Sequence, residues 1–533
     1  KRFLGEEFMT LINLPLFFLD LQTTGSKPGE AHILEMAYAT LDSSIESFFV
    51  EQPQGHEVPK RIQMITGVSK ADMETAIAFP LAMKKLSDFI ESVSPDKKAI
   101  CIIHFAQFEK PFLLSAFEAI KKELPFVILC THEIAKRLLP NLPTRGIKGL
   151  AGYFGYDAGE LKRGHSHVEA TRLIWSKLLD LLAEKEISTF LDLENWLAIT
   201  PKAVRTKYEY PLPKEKRLTL PDVPGIYRML NYKGEVLYVG KATSLKSRVN
   251  SYFRGQKKRD PKKLEMLTQV LDLRVTECAT PLEAALMETD EIKRLNPRYN
   301  IALKKGQRSL VFFDRDFISL SSTPDEIHTI GPFSHAMVFE AMMKFIEYLK
   351  EKDQRLPDEN TFFDTIEPEL IKEGFELFCE IHGFSPETFT SMRSVIAQGI
   401  LWHRQEEPEE EIADFDEEAQ EEIDEKLEEA EVLLTPLDVA AKFERHFTRI
   451  GKSYMRARKI NRMLNADVDF SPVNYPARSL KIRNGYLEND EHSRISHSWA
   501  DHSIETYDRM TVLLSELDRV RSQDGTYRIT FVE

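Results

Sequence analysis

Hydrophobic positions follow two rhythms along the chain, and the rhythm changes with position. Leu14 to Leu21 is an apolar run interrupted only by Asp20, too short for a helix of its own, and it reads as a buried strand ended by Thr23-Thr24-Gly25. Ile33 to Tyr38 and Ser47 to Phe49 predict further strands, and Pro80 to Ser92 predicts a helix. Ala99 to His104 predicts another buried strand, followed by a helix that carries Phe112, Leu113 and Phe117. Strands interleaved with helices imply an α/β sheet over the first part of the chain.

The pattern changes after Val223. Two short apolar runs flank Asn231-Tyr232-Lys233-Gly234-Glu235, whose Asn and Gly suit a tight turn, so a β-hairpin is expected with Tyr227 ending its first strand and Tyr238 in its second. Leu245, Val249, Tyr252 and Phe253 then recur at helical spacing, and Leu282, Ala285, Leu286 and Ile292 mark a second helix that Asn296-Pro297 ends. Beyond it, Leu310–Phe313 predicts a strand, and Gly331-Pro332-Phe333-Ser334 leads to a helix from Ala336 to Leu349. The last hundred residues mix short strands (Leu480–Ile482, Tyr527–Phe531) with a helix around Tyr507–Val520.

At 533 residues the chain exceeds one core, and three or four domains are expected. A net charge of −14 argues against a nucleic-acid partner until its distribution is considered. Residues 201–310 hold 24 Lys and Arg against 12 Asp and Glu, a net +12 that leaves −26 on the rest. That basic island is what a phosphate-tracking surface requires. The four cysteines, Cys101, Cys130, Cys278 and Cys379, stand alone, which excludes a zinc ribbon or disulfide framework and fits a reducing compartment. Lys1-Arg2 ahead of the apolar residues 8–19 does not make a secretory signal, because Glu6, Glu7, Asn13 and Asp20 interrupt the stretch. No apolar run is long enough to cross a bilayer, and a cytoplasmic, nucleoid-associated location is expected.

The basic island also holds the candidate chemistry. Glu288 supplies one carboxylate for a hard divalent cation, which otherwise keeps waters and a phosphate oxygen. Lys241 and Arg248 are placed to neutralise charge on a reacting phosphate, and Tyr227 and Tyr238 are phenols that move a proton when a neighbouring cation lowers their pKa. The stretch 223–300 resembles the GIY-YIG nuclease domain of the UvrC branch. The resemblance puts the family's two tyrosines on Tyr227 and Tyr238, its lysine on Lys241, its arginine on Arg248, its metal-binding glutamate on Glu288 and its late asparagine on Asn300. It implies single-strand DNA cleavage with Mg²⁺ or Mn²⁺, and leaves open which tyrosine is the base. Lys246, Arg254, Lys257, Lys258 and Arg259 are the nearby candidates for DNA contact.

Asp20-Leu21-Gln22-Thr23-Thr24-Gly25, the segment from His104 to Leu113, and Gly164 to Ala170 resemble the three motifs of DEDD exonucleases of the proofreading-subunit type. Such enzymes hold two metal ions with four carboxylates. Here Gln22 replaces one acid, Glu109 stands where Asp is usual, and His165 precedes Glu169 by four residues rather than five. At about 100° of helix rotation per residue, that deletion turns His165 away from its expected face, and His167 does not restore the spacing. The expectation is an exonuclease fold with little or no exonuclease activity, whose degenerate site is Asp20, Gln22, Glu109, His165 and Glu169.

The expected architecture is α/β and multidomain. An RNase H-like exonuclease-type domain (1–200) and a basic linker (201–219) precede a small α/β GIY-YIG domain (220–305). A UvrC-like downstream α/β region (306–404), an acidic linker (405–432) and a mixed, partly helical C-terminal domain (433–533) follow. Residues 406–431 hold sixteen acidic residues and one Lys, the composition of a solvated linker or frayed helix. Residues 442–462 carry eight Lys and Arg with interleaved Phe and Tyr, which suits either nucleic-acid contact or an amphipathic helix with Phe443, Phe447, Ile450 and Met455 in a core. His492, His497 and His502 are spaced five apart, which fits no standard metal-ligand set. The function expected is metal-dependent, structure- or damage-directed DNA incision in repair. DNA is the expected substrate, with UvrA- or UvrB-like proteins or a polymerase as partners. The alternatives are a non-catalytic repair adaptor and a 3′–5′ exonuclease with an adapted site.

Overall fold

The computed structural model describes residues 9–95, 99–157, 159, 161–199, 207–254, 260–301, 303, 309–334, 337–350, 366–405, 434–488 and 503–532. The chain divides into two compact units. One comprises residues 1–216 with 229–235 and 253–273, and the other residues 217–228 with 236–252 and 274–533.

The first unit is built on a five-stranded sheet in the order β3-β2-β1-β4-β5, formed by Leu16–Thr23 (β1), Ile33–Ala39 (β2), Glu46–Phe49 (β3), Ala99–Ile103 (β4) and Phe126–Cys130 (β5). β1 pairs antiparallel with β2 and parallel with β4, and β4 pairs parallel with β5. The continuous apolar run of β1 has a direct cause, since the strand buries both faces. Phe18, Ala37, Ile100 and Ile102 enter one core with the helix Gly164–Ala183, while Phe17, Leu19, Met36, Tyr38 and Cys101 enter another with the helices Phe79–Val93 and Ala106–Ala119. Thr23 belongs to β1 instead of ending it, with a register shift at Gln22/Thr23. Within the basic linker 201–219, Lys214–Leu218 forms a short helix.

Gly225–Leu230 (β6), Val236–Ala242 (β7) and Asp272–Glu277 (β8) form a three-stranded sheet in the order β7-β6-β8. Further along, Val311–Phe313 (β9), Leu320–Ser321 (β10) and Ile330–Phe333 (β11) form a small antiparallel sheet in the order β10-β9-β11. It caps a phenylalanine-rich core shared with the helices Met337–Lys350, Pro368–His382 and Met392–Gln405. Ala466–Ser471 (β12), Arg478–Arg483 (β13), Tyr486–Leu487 (β14) and Thr526–Phe531 (β15) make a four-stranded sheet in the order β14-β13-β12-β15, backed by the helix Ile504–Ser522.

The basic, aromatic stretch after residue 442 lies within one 28-residue helix, Pro436–Met463. Phe443, Phe447 and Ile450 are buried in the phenylalanine-rich core and Met455 is half-buried, so these apolar side chains pack. The acidic stretch 406–431 and the histidines at 492, 497 and 502 lie outside the described residues. Among the described residues all four cysteines are free and no helix is long and apolar enough to cross a membrane.

Candidate nuclease centre and the exonuclease-like pocket

Tyr227 sits inside β6, third of six residues, and not at its end as the hydrophobic pattern implied. Its side chain is fully buried. Tyr238 on β7 places its ring 6.1 Å from that of Tyr227, so the two phenols lie side by side. The close approach depends on Gly240, where a Cβ would lie 2.4 Å from the Tyr227 hydroxyl and 2.9 Å from the Tyr238 ring. Gly225 is constrained too, because a Cβ there would meet the Thr276 carbonyl at 2.3 Å.

Arg248 lies on the helix Leu245–Ser251, whose N-cap Ser244 accepts from the Ser247 N–H. Its guanidinium stands 5.7 Å from the ring of Tyr252, the residue that closes the helix. The Tyr252 and Tyr227 hydroxyls are 2.9 Å apart. Tyr252 is thus a third phenol of the centre, which helical spacing alone had assigned to an apolar face. Burial, then Tyr252, pushes the Tyr227 phenol well above its ordinary pKa, with Arg248 acting in the opposite direction. Burial raises Tyr238 likewise, followed by Tyr227 and Tyr252.

Glu288 projects from the helix Pro281–Leu295, which Thr280 caps by accepting from the Glu283 N–H and which ends in a left-handed Asn296. The half-buried Glu288 carboxylate accepts the Lys241 backbone N–H at 2.8 Å, which fixes it to the end of β7. Asn300 is buried and grips the same strand, its Oδ1 accepting from the Val239 N–H at 3.0 Å and its Nδ2 donating to the Val239 carbonyl at 2.9 Å. The Lys241 side chain pairs with Glu516 of the C-terminal helix at 2.6 Å, a partner no sequence spacing suggested. Burial works against the Lys241 charge, but the carboxylates of Glu516 and then Glu288 outweigh it and raise the ammonium's pKa. Lys246 and Arg254 are exposed, whereas Lys257, Lys258 and Arg259 lie outside the described residues.

A single half-buried carboxylate, oriented by a backbone N–H, fits a hard divalent cation that keeps most of its waters. The neighbouring phenols and guanidinium supply no competing soft ligand. Among the described residues no group of three His, Cys, Asp or Glu side chains is arranged to hold a metal by protein ligands alone.

The first unit's pocket is organised differently. The two Asp20 oxygens are both engaged: Oδ1 by His167 Nδ1 at 2.9 Å, and Oδ2 by Gln22 Nε2 at 2.8 Å. His167 Nε2 is 3.2 Å from the Leu161 carbonyl. The pocket histidine is therefore His167, and the spacing argument that dismissed it needs correction. The helix Gly164–Ala183 turns His165 and Glu169 outward, both exposed, with Glu169 accepting from the Tyr156 hydroxyl at 2.9 Å. Glu109 is buried with one carboxyl oxygen lacking a hydrogen-bond partner among the described residues. Burial, then Asp20, pushes its pKa well above the carboxylate range. One acid engaged by an amide and an imidazole, beside a buried acid with an unsatisfied oxygen, is a poor fit for a pair of divalent ions.

Two family models match the chain, an exonuclease model over residues 17–166 and a UvrC-like GIY-YIG model over residues 223–301. The chain thus carries an exonuclease-family domain followed by a UvrC-type GIY-YIG nuclease domain. A Mycobacterium tuberculosis protein named as a bifunctional exonuclease/endonuclease is 27% identical over 341 residues, which is 61% of this chain and 51% of that protein. The UvrABC system protein C of Chlorobium luteolum is 39% identical over 155 residues, covering 27% of this chain and 24% of that protein. The chain therefore spans about half the length of the first relative and a quarter of the second. The solved GIY-YIG N-terminal endonuclease domain of Thermotoga maritima UvrC, bound to magnesium, is 32% identical. That match covers 16% of this chain and 94% of the domain, with a TM-score of 0.15.

Proposed function

We propose that the chain is a DNA endonuclease that hydrolyses a phosphodiester of one strand with the help of Mg²⁺ or Mn²⁺, and that it acts in excision repair. The observation that carries this reading is the gathering of Tyr227, Tyr238, Tyr252 and Arg248 beside the strand end where Lys241 holds Glu288. The family match over 223–301 supports it. The basic charge of residues 201–310 supports a DNA substrate, and the likeness to UvrABC system protein C supports UvrA- or UvrB-like partners.

Water attacks phosphorus in line, the new P–O bond forming as the bond to the leaving sugar oxygen breaks. Glu288 would hold the divalent cation, which would supply Lewis-acid polarisation when bound. Arg248 and Lys241 balance the charge that builds on the other oxygens. Tyr227 or Tyr238 takes the proton from the attacking water. Arg248 acts against the burial that raises the Tyr227 phenol, and burial prevails. Asn300 keeps β7, and with it Tyr238 and Lys241, in place.

The exonuclease-type unit serves to bind DNA or a partner, because its pocket lacks the donors for a metal pair. Nicking of damaged and undamaged plasmid with Mg²⁺ tests the main reading. Glu288→Ala is expected to bind DNA without cutting it, and substantial residual nicking by that variant would refute the assignment.

A further inference from the structure

The helix Ile504–Ser522 packs against the Glu288-bearing helix Pro281–Leu295 and is tied to it by two ion pairs. Asp508, fully buried, lies 2.5 Å from the buried Lys293 ammonium. Arg509 donates to Asp290 at 2.6 Å. About two helical turns further on, Glu516 accepts from the Lys241 ammonium at 2.6 Å. Leu513 and Leu517 fill the space beneath, in one core with Leu282, Ala285 and Leu286.

We infer that Glu516 is a positioning residue of the nuclease centre, and that the C-terminal helix is a fixed wall of that centre. The inference rests on the nuclease reading given above. A lysine ammonium rides on a flexible four-carbon stem, so aiming it at a phosphate has an entropic cost that a fixed partner removes beforehand. The ammonium has three N–H donors. Glu516 takes one and leaves two for phosphate oxygens. Lys–Glu pairs of this kind orient the phosphate-contacting lysine in protein kinases.

Burial separates positioning from masking. The Glu516 side chain is only 7% exposed, and its other cation, Arg519, stands back at 3.9 Å. Swinging Glu516 away would strand its charge in the interface. The Asp508–Lys293 and Arg509–Asp290 pairs would have to part as well before the helix could leave.

The test uses the full chain in the plasmid-nicking assay, with acylation of lysine amines read by mass spectrometry alongside. Glu516→Gln is expected to lower kcat about tenfold with little change in KM, and Glu516→Asp to recover part of the loss. Lys241 is expected to be protected from acylation in the wild type and labelled faster in Glu516→Gln. Unchanged nicking, or nicking that rises in Glu516→Gln, would overturn the inference, the second outcome marking Glu516 as a mask. Equal labelling of Lys241 in both proteins would also overturn it, whatever the nicking result. Failure of the nuclease reading itself is visible separately, as equal nicking by wild type and Glu288→Ala.

Discussion

The Tyr227 hydroxyl meets the Tyr252 hydroxyl at 2.9 Å, in a part of the protein where Tyr227 has no exposure to water. Tyr252 therefore gives the buried Tyr227 hydroxyl a hydrogen-bond partner. Tyr252→Phe removes that partner and should cost about 1–3 kcal/mol of stability. Nicking should fall at least tenfold, and Tyr227→Phe should lose about 10²–10⁴-fold if this phenol carries the proton. Plasmid nicking and denaturant melts of the two variants check the order.

Gly240→Ala should be more damaging than an added methyl group suggests. The new Cβ would lie 2.4 Å from the Tyr227 hydroxyl, so the ring must move or the strand must shift. A cost of about 1–3 kcal/mol is expected from overpacking, together with loss of nicking. Activity equal to wild type would mean that the two tyrosines need no such proximity.

Asn300→Ala leaves the Val239 N–H and carbonyl buried without the partners they now have. About 2–4 kcal/mol of destabilisation is expected from two such groups. Chemical denaturation reads it directly. Asn300→Asp, which keeps an acceptor for the N–H but loses the donor to the carbonyl, should fall between wild type and alanine.

Gln22→Glu should not create an exonuclease. The substitution replaces an amide that donates to Asp20 Oδ2 at 2.8 Å with a second carboxylate at the same place. Stability should drop by about 1–3 kcal/mol, and 3′-end degradation in Mg²⁺ should stay absent because His167 still occupies Asp20 Oδ1. Robust degradation of a labelled 3′ end by this single variant would contradict that account.

His104 makes the first unit acid-sensitive. It is buried between Thr131 and the Arg145 carbonyl, and burial, then His132, lowers its pKa to about 3. Its unfolded value is about 6.5. Between those values the unfolded chain binds a proton that the folded chain does not, so stability falls as pH drops below about 6.5. The slope is about 1.4 kcal/mol per pH unit, flattening near pH 3. Subtracting the pH–stability curve of His104→Gln from that of the wild type should isolate this one-proton slope.

Much of this was legible before any coordinates, for identifiable reasons. The strands around Leu14, Ile33 and Ala99 are doubly buried, so their apolar runs are uninterrupted and easily read. Tyr227, Tyr238, Lys241, Arg248, Glu288 and Asn300 could be picked out as candidates through their residue types and their likeness to a nuclease motif. Tyr252 was harder to read, because a phenol at helical spacing looks like any amphipathic position until its hydroxyl has a partner. His167 was passed over because the spacing to Glu169 was the criterion, and Glu169 is exposed and turned away from Asp20. The helix starts at Gly164, where a Cβ would lie 2.9 Å from that of Ala37, and His167 in its first turn reaches Asp20. Glu516 was out of reach altogether, since 275 residues separate it from Lys241.

The core that joins Leu282, Ala285 and Leu286 to Met510, Leu513 and Leu517 has a practical consequence for anyone who dissects this protein. A fragment trimmed to the GIY-YIG segment alone would carry a greasy stripe along its metal-bearing helix, and Asp290 and Lys293 would lose Arg509 and Asp508. Such a piece invites self-association. Co-expression with a second polypeptide beginning at Thr435 would offer that stripe its natural cover.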